Sequence, residues 1–89
     1  MLQDTAVLAN KHGLHARPAA EFVKLASRFE SDVKLTKDDI TVDGKSIMGV
    51  MMLAAAKGSQ VTIHADGADA EQALADLEAL IGNRFGEDE

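Results

Sequence analysis

The stretch Gly13-Leu14-His15-Ala16-Arg17-Pro18-Ala19-Ala20-Glu21-Phe22-Val23-Lys24 decides how this chain is read, because a turn ends and a helix begins within it. From Ala16 onward, Ala19, Phe22, Val23, Ala26 and Phe29 recur at helical spacing and form one apolar stripe. Pro18, the only proline, falls in the first turn, where its missing N–H does little harm. Upstream, Asn10-Lys11-His12-Gly13 reads as a turn. Residues 2–9 alternate, with Leu2, Ala6 and Leu8 on one face of a strand. Downstream, residues 31–36 read as a strand with Val33 and Leu35 facing one way. Lys37-Asp38-Asp39 turns the chain and residues 40–42 return it as a hairpin. Asp43-Gly44 turns it again. Ser46 is placed to cap a short helix over 47–53, which Lys57-Gly58 breaks. Residues 60–65 alternate, with Val61, Ile63 and Ala65 on one face. Asp69 and Gln72 match a capping box for a last helix over 70–81, striped by Ala70, Ala73, Leu74, Leu77, Leu80 and Ile81 and stopped by Gly82. The order β-α-β-β-α-β-α predicts an α+β two-layer domain, one sheet with its helices on a single side.

Composition narrows the function. The 89 residues have room for one domain, and 46% of them are apolar. The absence of cysteine excludes disulfides, thiolate metal sites and thiol catalysis. Aromatic residues make up 3% and the net charge is -6, which together argue against nucleic-acid binding. No apolar run approaches the roughly 18–20 residues of a membrane span, and the first residues lack the basic start and apolar stretch of a signal peptide. A cytoplasmic protein is expected, without membrane insertion. The charge is uneven. Residues 1–65 carry eight basic and seven acidic side chains, whereas 66–89 carry one arginine and eight acids. Residues 83–89 therefore read as a solvated acidic tail ending in Glu87-Asp88-Glu89.

Two segments depart from a merely structural pattern. His15 falls at or next to the N-cap of the first long helix. The positive end of a helix disfavours an imidazolium and so favours a neutral, nucleophilic ring. The free N–H groups of the first turn would hold an anion delivered to that ring. Arg17, always charged and fork-shaped, can reach the same anion. This grouping suits phosphoryl transfer, in which positioning and charge compensation supply most of the catalysis. Spacing alone leaves a second reading open, in which His15 only caps a helix beside a surface arginine. A metal pair of His12 and His15 is a poor fit, since Gly13 turns the chain between them and no carboxylate or thiol stands near enough to complete a site. No metal and no cofactor are expected.

The second segment is Lys45-Ser46-Ile47-Met48-Gly49-Val50-Met51-Met52-Leu53. On a helix, Val50 and Leu53 share a core-facing side, while Ile47, Met48 and Met51 point elsewhere. They form either buried packing or an apolar contact surface. Methionine suits surfaces that accept several partners. Ser46 is most simply a cap, yet a phosphate there would add charge beside the patch without disturbing the fold. Arg17, Lys24 and Arg28 lie along one helix face, interrupted by Glu21. They form either a solvated face or a basic rim for an acidic partner.

Gly13-Leu14-His15-Ala16-Arg17-Pro18-Ala19 resembles the active-site signature of the HPr family, the histidine-containing phosphocarriers of the bacterial phosphoenolpyruvate-dependent phosphotransferase system. Lys45-Ser46-Ile47-Met48-Gly49-Val50-Met51 resembles that family's regulatory serine segment. The two stand about thirty residues apart, as in the family, and the resemblance covers essentially the whole chain. It implies an open-faced β-sandwich with a four-stranded antiparallel sheet and three helices on one side. It implies that His15 accepts a phosphoryl group on Nδ1 from phosphorylated Enzyme I and passes it to Enzyme IIA domains, with Arg17 stabilising the group in transit. It also implies that Ser46 is a target of HPr kinase/phosphorylase where one exists, and that Ala16, Ala20, Lys24, Ile47, Met48 and Met51 form the docking face. Such a protein is a carrier and not a multiple-turnover enzyme, and a monomer is expected. The alternative is an HPr-like regulatory adaptor acting through Ser46. Two positions depart from the pattern. His12 stands where several relatives carry a small polar residue, and Ser27 replaces a lysine that some members use in docking.

Overall fold

Alternating apolar residues make the strands, and their partners are fixed by which faces those residues must bury. A computed structural model describes residues 2–86, so Glu87-Asp88-Glu89 of the expected tail lie outside the described residues. Strand β1 spans Leu2–Val7, β2 Asp32–Lys37, β3 Ile40–Asp43 and β4 Gln60–Asp66. They form one four-stranded sheet in the order β1-β4-β2-β3, and every pairing is antiparallel. Helix α1 spans Ala16–Ala26, α2 Ile47–Met52 and α3 Ala70–Gly82. This is the open-faced two-layer arrangement expected from the element order. The sheet places Val61, Ile63, Ala65, Val33 and Leu35 against the helices, all of them buried, and Phe22, Leu77 and Ile81 meet them from above. The opposite face is polar: Thr5, Thr62, Thr36 and Thr41 stand in register across all four strands.

The hairpin between β2 and β3 turns through Asp38-Asp39, with Asp38 at φ 55°. Asp4 lies on the helix-facing side of β1, between Leu2 and Ala6, because its partner across the ladder is Ile63. It meets Glu78 of α3, and the hydrogen bond between the two carboxyls pushes Glu78 above the usual carboxylate range and holds Asp4 below it.

Three local expectations need correction. The capping box at Asp69 and Gln72 does not form. Asp69 occupies the N-cap of α3, but its carboxylate turns away from the helix and accepts from Glu30 N at 2.9 Å, Ser31 N at 3.0 Å and Ser31 Oγ at 2.5 Å. Gln72 instead donates to Asp76 at 2.7 Å, one turn along the helix. Gly82 is the last residue of α3 and not its stop signal. The reversal comes at Arg84 and Phe85, with φ of 53° and 56°. Phe85, expected in the solvated tail, therefore folds back and is buried in the core.

The Asp69 clamp has a pH signature. The hydrogen bond from Ser31, together with that from Glu30 N, lowers the Asp69 pKa below its usual range. Its stabilising effect is therefore fully present above the ordinary carboxylate range and is lost as the pH falls through the depressed folded value. Asp69→Ala should melt below the parent at pH 7, and the gap should close as thermal unfolding is repeated below about pH 4.

Candidate functional site

The loop before α1 is held from both sides. Asn10, fully buried, donates Nδ2–H to Gly13 O at 2.7 Å, and Gly13 N returns to Asn10 O at 3.3 Å. Gly13 sits at φ 61°, in the left-handed region that glycine enters most easily. A Cβ on it would lie 2.2 Å from Ala55 O. Leu14, buried, donates its N–H to Ala55 O at 2.8 Å. The turn is thus pinned to the segment leading into β4, and His15 follows from a fixed point.

His15 occupies the N-cap of α1 in extended conformation, and its carbonyl accepts from Ala19 N at 2.9 Å. Its imidazole makes no capping hydrogen bond to the helix. The backbone of His15 thus does the capping, and the ring is not committed to it. The first-turn N–H groups of Ala16 and Arg17 have no intrahelical acceptor. The ring is half-buried and its Nε2 is shielded from solvent. The His12 ring stands edge-on to it, with centroids 5.4 Å apart and planes at 86°. Among the described residues, no cluster of His, Asp or Glu large enough to hold a metal ion includes this pair.

Helix α1 presents Ala16, Arg17 and Lys24 exposed and Ala20 half-buried. Lys24 and Arg28 line a shallow cleft of about 150 Å³ with Glu21, Leu25 and Leu80. Lys24 and Arg28 thus share one cleft with Glu21, while Arg17 lies outside it, in the first turn of α1.

Helix α2 packs on α1 and β3. Ser46 Oγ accepts from Gly49 N at 3.1 Å, the cap expected from the sequence. Lys45 Nζ donates to Phe29 O at 2.8 Å, tying the start of α2 to the end of the α1 segment. Val50 and Leu53 are buried, whereas Ile47, Met48 and Met51 are exposed, so these residues form a surface patch and not core packing. Met52, 72% exposed, extends that patch. It lies one helical turn beyond Met48, a spacing readable in the sequence. Ser46→Ala should cost about 1 kcal/mol through the lost cap, checked by urea unfolding.

The family model described as the PTS HPr component phosphorylation site matches residues 2–83. The chain belongs to the HPr family. It is 54% identical to the phosphocarrier protein HPr of Cupriavidus necator over 89 residues, covering the whole of both chains. It is 51% identical to that of Neisseria meningitidis serogroup A, again over the whole of both. Among solved structures, HPr-C-His from Thermoanaerobacter tengcongensis superposes with a TM-score of 0.96 at 46% identity, covering all of each chain. HPr proteins are phosphocarriers of the phosphotransferase system, so membership supplies the general activity. Among the described residues, no helix of this HPr family member is long and apolar enough to cross a membrane.

Proposed function

We propose that this chain carries a phosphoryl group on Nδ1 of His15, taken from phosphorylated Enzyme I and handed to Enzyme IIA domains. The observation that supports this most is the His15 ring at the N-cap of α1, with Nε2 buried, no capping role, and Arg17 in the first turn. In the first transfer the Nδ1 lone pair attacks phosphorus. An Nδ1–P bond forms as the donor's bond to phosphorus breaks, and the electron pair of that bond stays with the donor. The helix N-terminus and the Arg17 fork face the charge spread over the phosphoryl oxygens. The second transfer reverses these roles toward the acceptor. Because the helix that carries His15 also packs on α2, one partner can contact Ala16, Ala20 and Lys24 together with Ile47, Met48 and Met51. The carrier works as a cytoplasmic monomer showing one face to successive partners.

Ser46 is the proposed regulatory site. A phosphate there would join the N-cap of α2 and place about two negative charges beside the apolar patch. HPr kinase and ATP should add one phosphate, lost in Ser46→Ala by intact mass. An adaptor acting through Ser46 alone would need neither His15 nor Arg17, and both stand at the same helix end.

The relay is tested with phosphoenolpyruvate, Enzyme I and an Enzyme IIA domain. The acceptor should gain phosphate only when this chain is present. Phosphorylation of the chain without onward transfer, beside a control carrier that does transfer, would contradict the relay.

A further inference from the structure

Three of the chain's four methionines, Met48, Met51 and Met52, lie within one helix of six residues. They are 76%, 41% and 72% exposed, with Ile47 beside them. The chain has no cysteine, so the usual reversible target of two-electron oxidants is missing. Thioether sulfur is the next, and here it is concentrated on a single surface.

We propose that Met48, Met51 and Met52 form an oxidation site through which peroxide lowers the carrier's capacity to dock. The inference rests on the phosphocarrier reading above. In each event a sulfur lone pair attacks one oxygen of hydrogen peroxide. An S–O bond forms and the O–O bond breaks. The leaving hydroxide ends as water after the transferred oxygen gives up its proton. Sulfur is oxidised by two electrons and the peroxide is reduced by two, so no further reactant is required.

The fold is arranged to survive this change. The apolar anchors of α2 are Val50 and Leu53, which are buried and contain no sulfur. Its N-terminus is held by Ser46 Oγ, and Lys37 Nζ approaches Leu53 O at its other end at 3.5 Å. None of the three methionines belongs to the buried core cluster. A sulfoxide is polar and chiral where the thioether was apolar and flexible. A partner seated on the patch would then have to bury an S=O dipole without a donor for it. Oxidation therefore acts on association and leaves His15 chemically intact.

The experiment exposes the full chain to hydrogen peroxide and maps the added oxygens by peptide mass. It then measures Enzyme I-dependent phosphorylation against carrier concentration. Oxygen should appear at Met48, Met51 and Met52 with an unchanged circular dichroism spectrum. KM should rise about tenfold, the scale of one uncompensated polar group in an apolar contact, with kcat held. Methionine sulfoxide reductases should restore the original KM. In a Met48→Leu, Met51→Leu, Met52→Leu variant the ratio of treated to untreated rate should stay near one, whatever its untreated rate. Full oxidation of the three sulfurs with an unchanged KM overturns the proposal, as does a peroxide-dependent loss that persists in the leucine variant. An untreated chain that takes no phosphate, beside a control carrier that does, overturns the phosphocarrier reading and this proposal with it.

Discussion

Replacing His15 with alanine should abolish phosphoryl acceptance from Enzyme I while the protein stays folded. The loss is absolute and not a matter of degree, because alanine leaves no imidazole at the N-cap of α1 to form the bond. His12 is the nearest substitute, and its ring lies across the Gly13 turn, edge-on to His15. Folding should be little affected, since the cap bond to Ala19 N uses the backbone carbonyl, which alanine keeps. Arg17→Ala should behave differently: transfer should slow by about 10²–10³-fold, the usual effect of removing one charge-stabilising donor from a transition state. Intact mass after incubation with phosphoenolpyruvate and Enzyme I separates the two, with thermal unfolding as the control. A phosphorylated His15→Ala protein would place the acceptor elsewhere.

Gly13→Ala should be the most damaging single-methyl change near the site, costing about 2–4 kcal/mol. Part of that is the left-handed backbone at φ 61°. The larger part is the contact, because the new Cβ would meet Ala55 O at 2.2 Å and Ala56 Cα at 2.7 Å, and neither can rotate away as a side chain would. Relief requires the loop to leave the segment before β4, which breaks the Leu14–Ala55 hydrogen bond and shifts His15. Gly58→Ala is the matched control. Its φ is 88° and nothing lies within 4 Å, so it should cost only about 1 kcal/mol of backbone strain. Urea unfolding of the pair measures the difference, and the relay assay should fall for Gly13→Ala alone. Equal losses for the two glycines would mean that the Ala55 contact does not govern the turn.

What the sequence made legible was whatever depends on spacing within one element. The strand alternation of Val61, Ile63 and Ala65, the α1 stripe through Phe22, and the Ser46 cap were all readable because their partners lie a few residues away. The Asp69 expectation failed for the opposite reason. Its local pattern fits a capping box, but the carboxylate is claimed by Glu30 and Ser31, 39 and 38 positions away, and a short window carries no sign of that competition. Phe85 was hidden by its acidic neighbours: composition places it in solvent, and only the left-handed turn at Arg84 and Phe85 brings it home. At the site, the motif named His15 and Arg17, and helix position predicted the anion-friendly terminus. The resemblance also named Nδ1, and the structure adds a placement that shields Nε2 from solvent.

That placement leads to the most direct measurement. The chain, labelled with ¹⁵N in histidine, is phosphorylated by phosphoenolpyruvate and catalytic Enzyme I, and the imidazole nitrogens are followed by NMR. A single phosphoryl group on Nδ1 of His15, labile in acid and stable in base, is the predicted result. Phosphate on Nε2, on another histidine, or on no residue while a control carrier is labelled would contradict it.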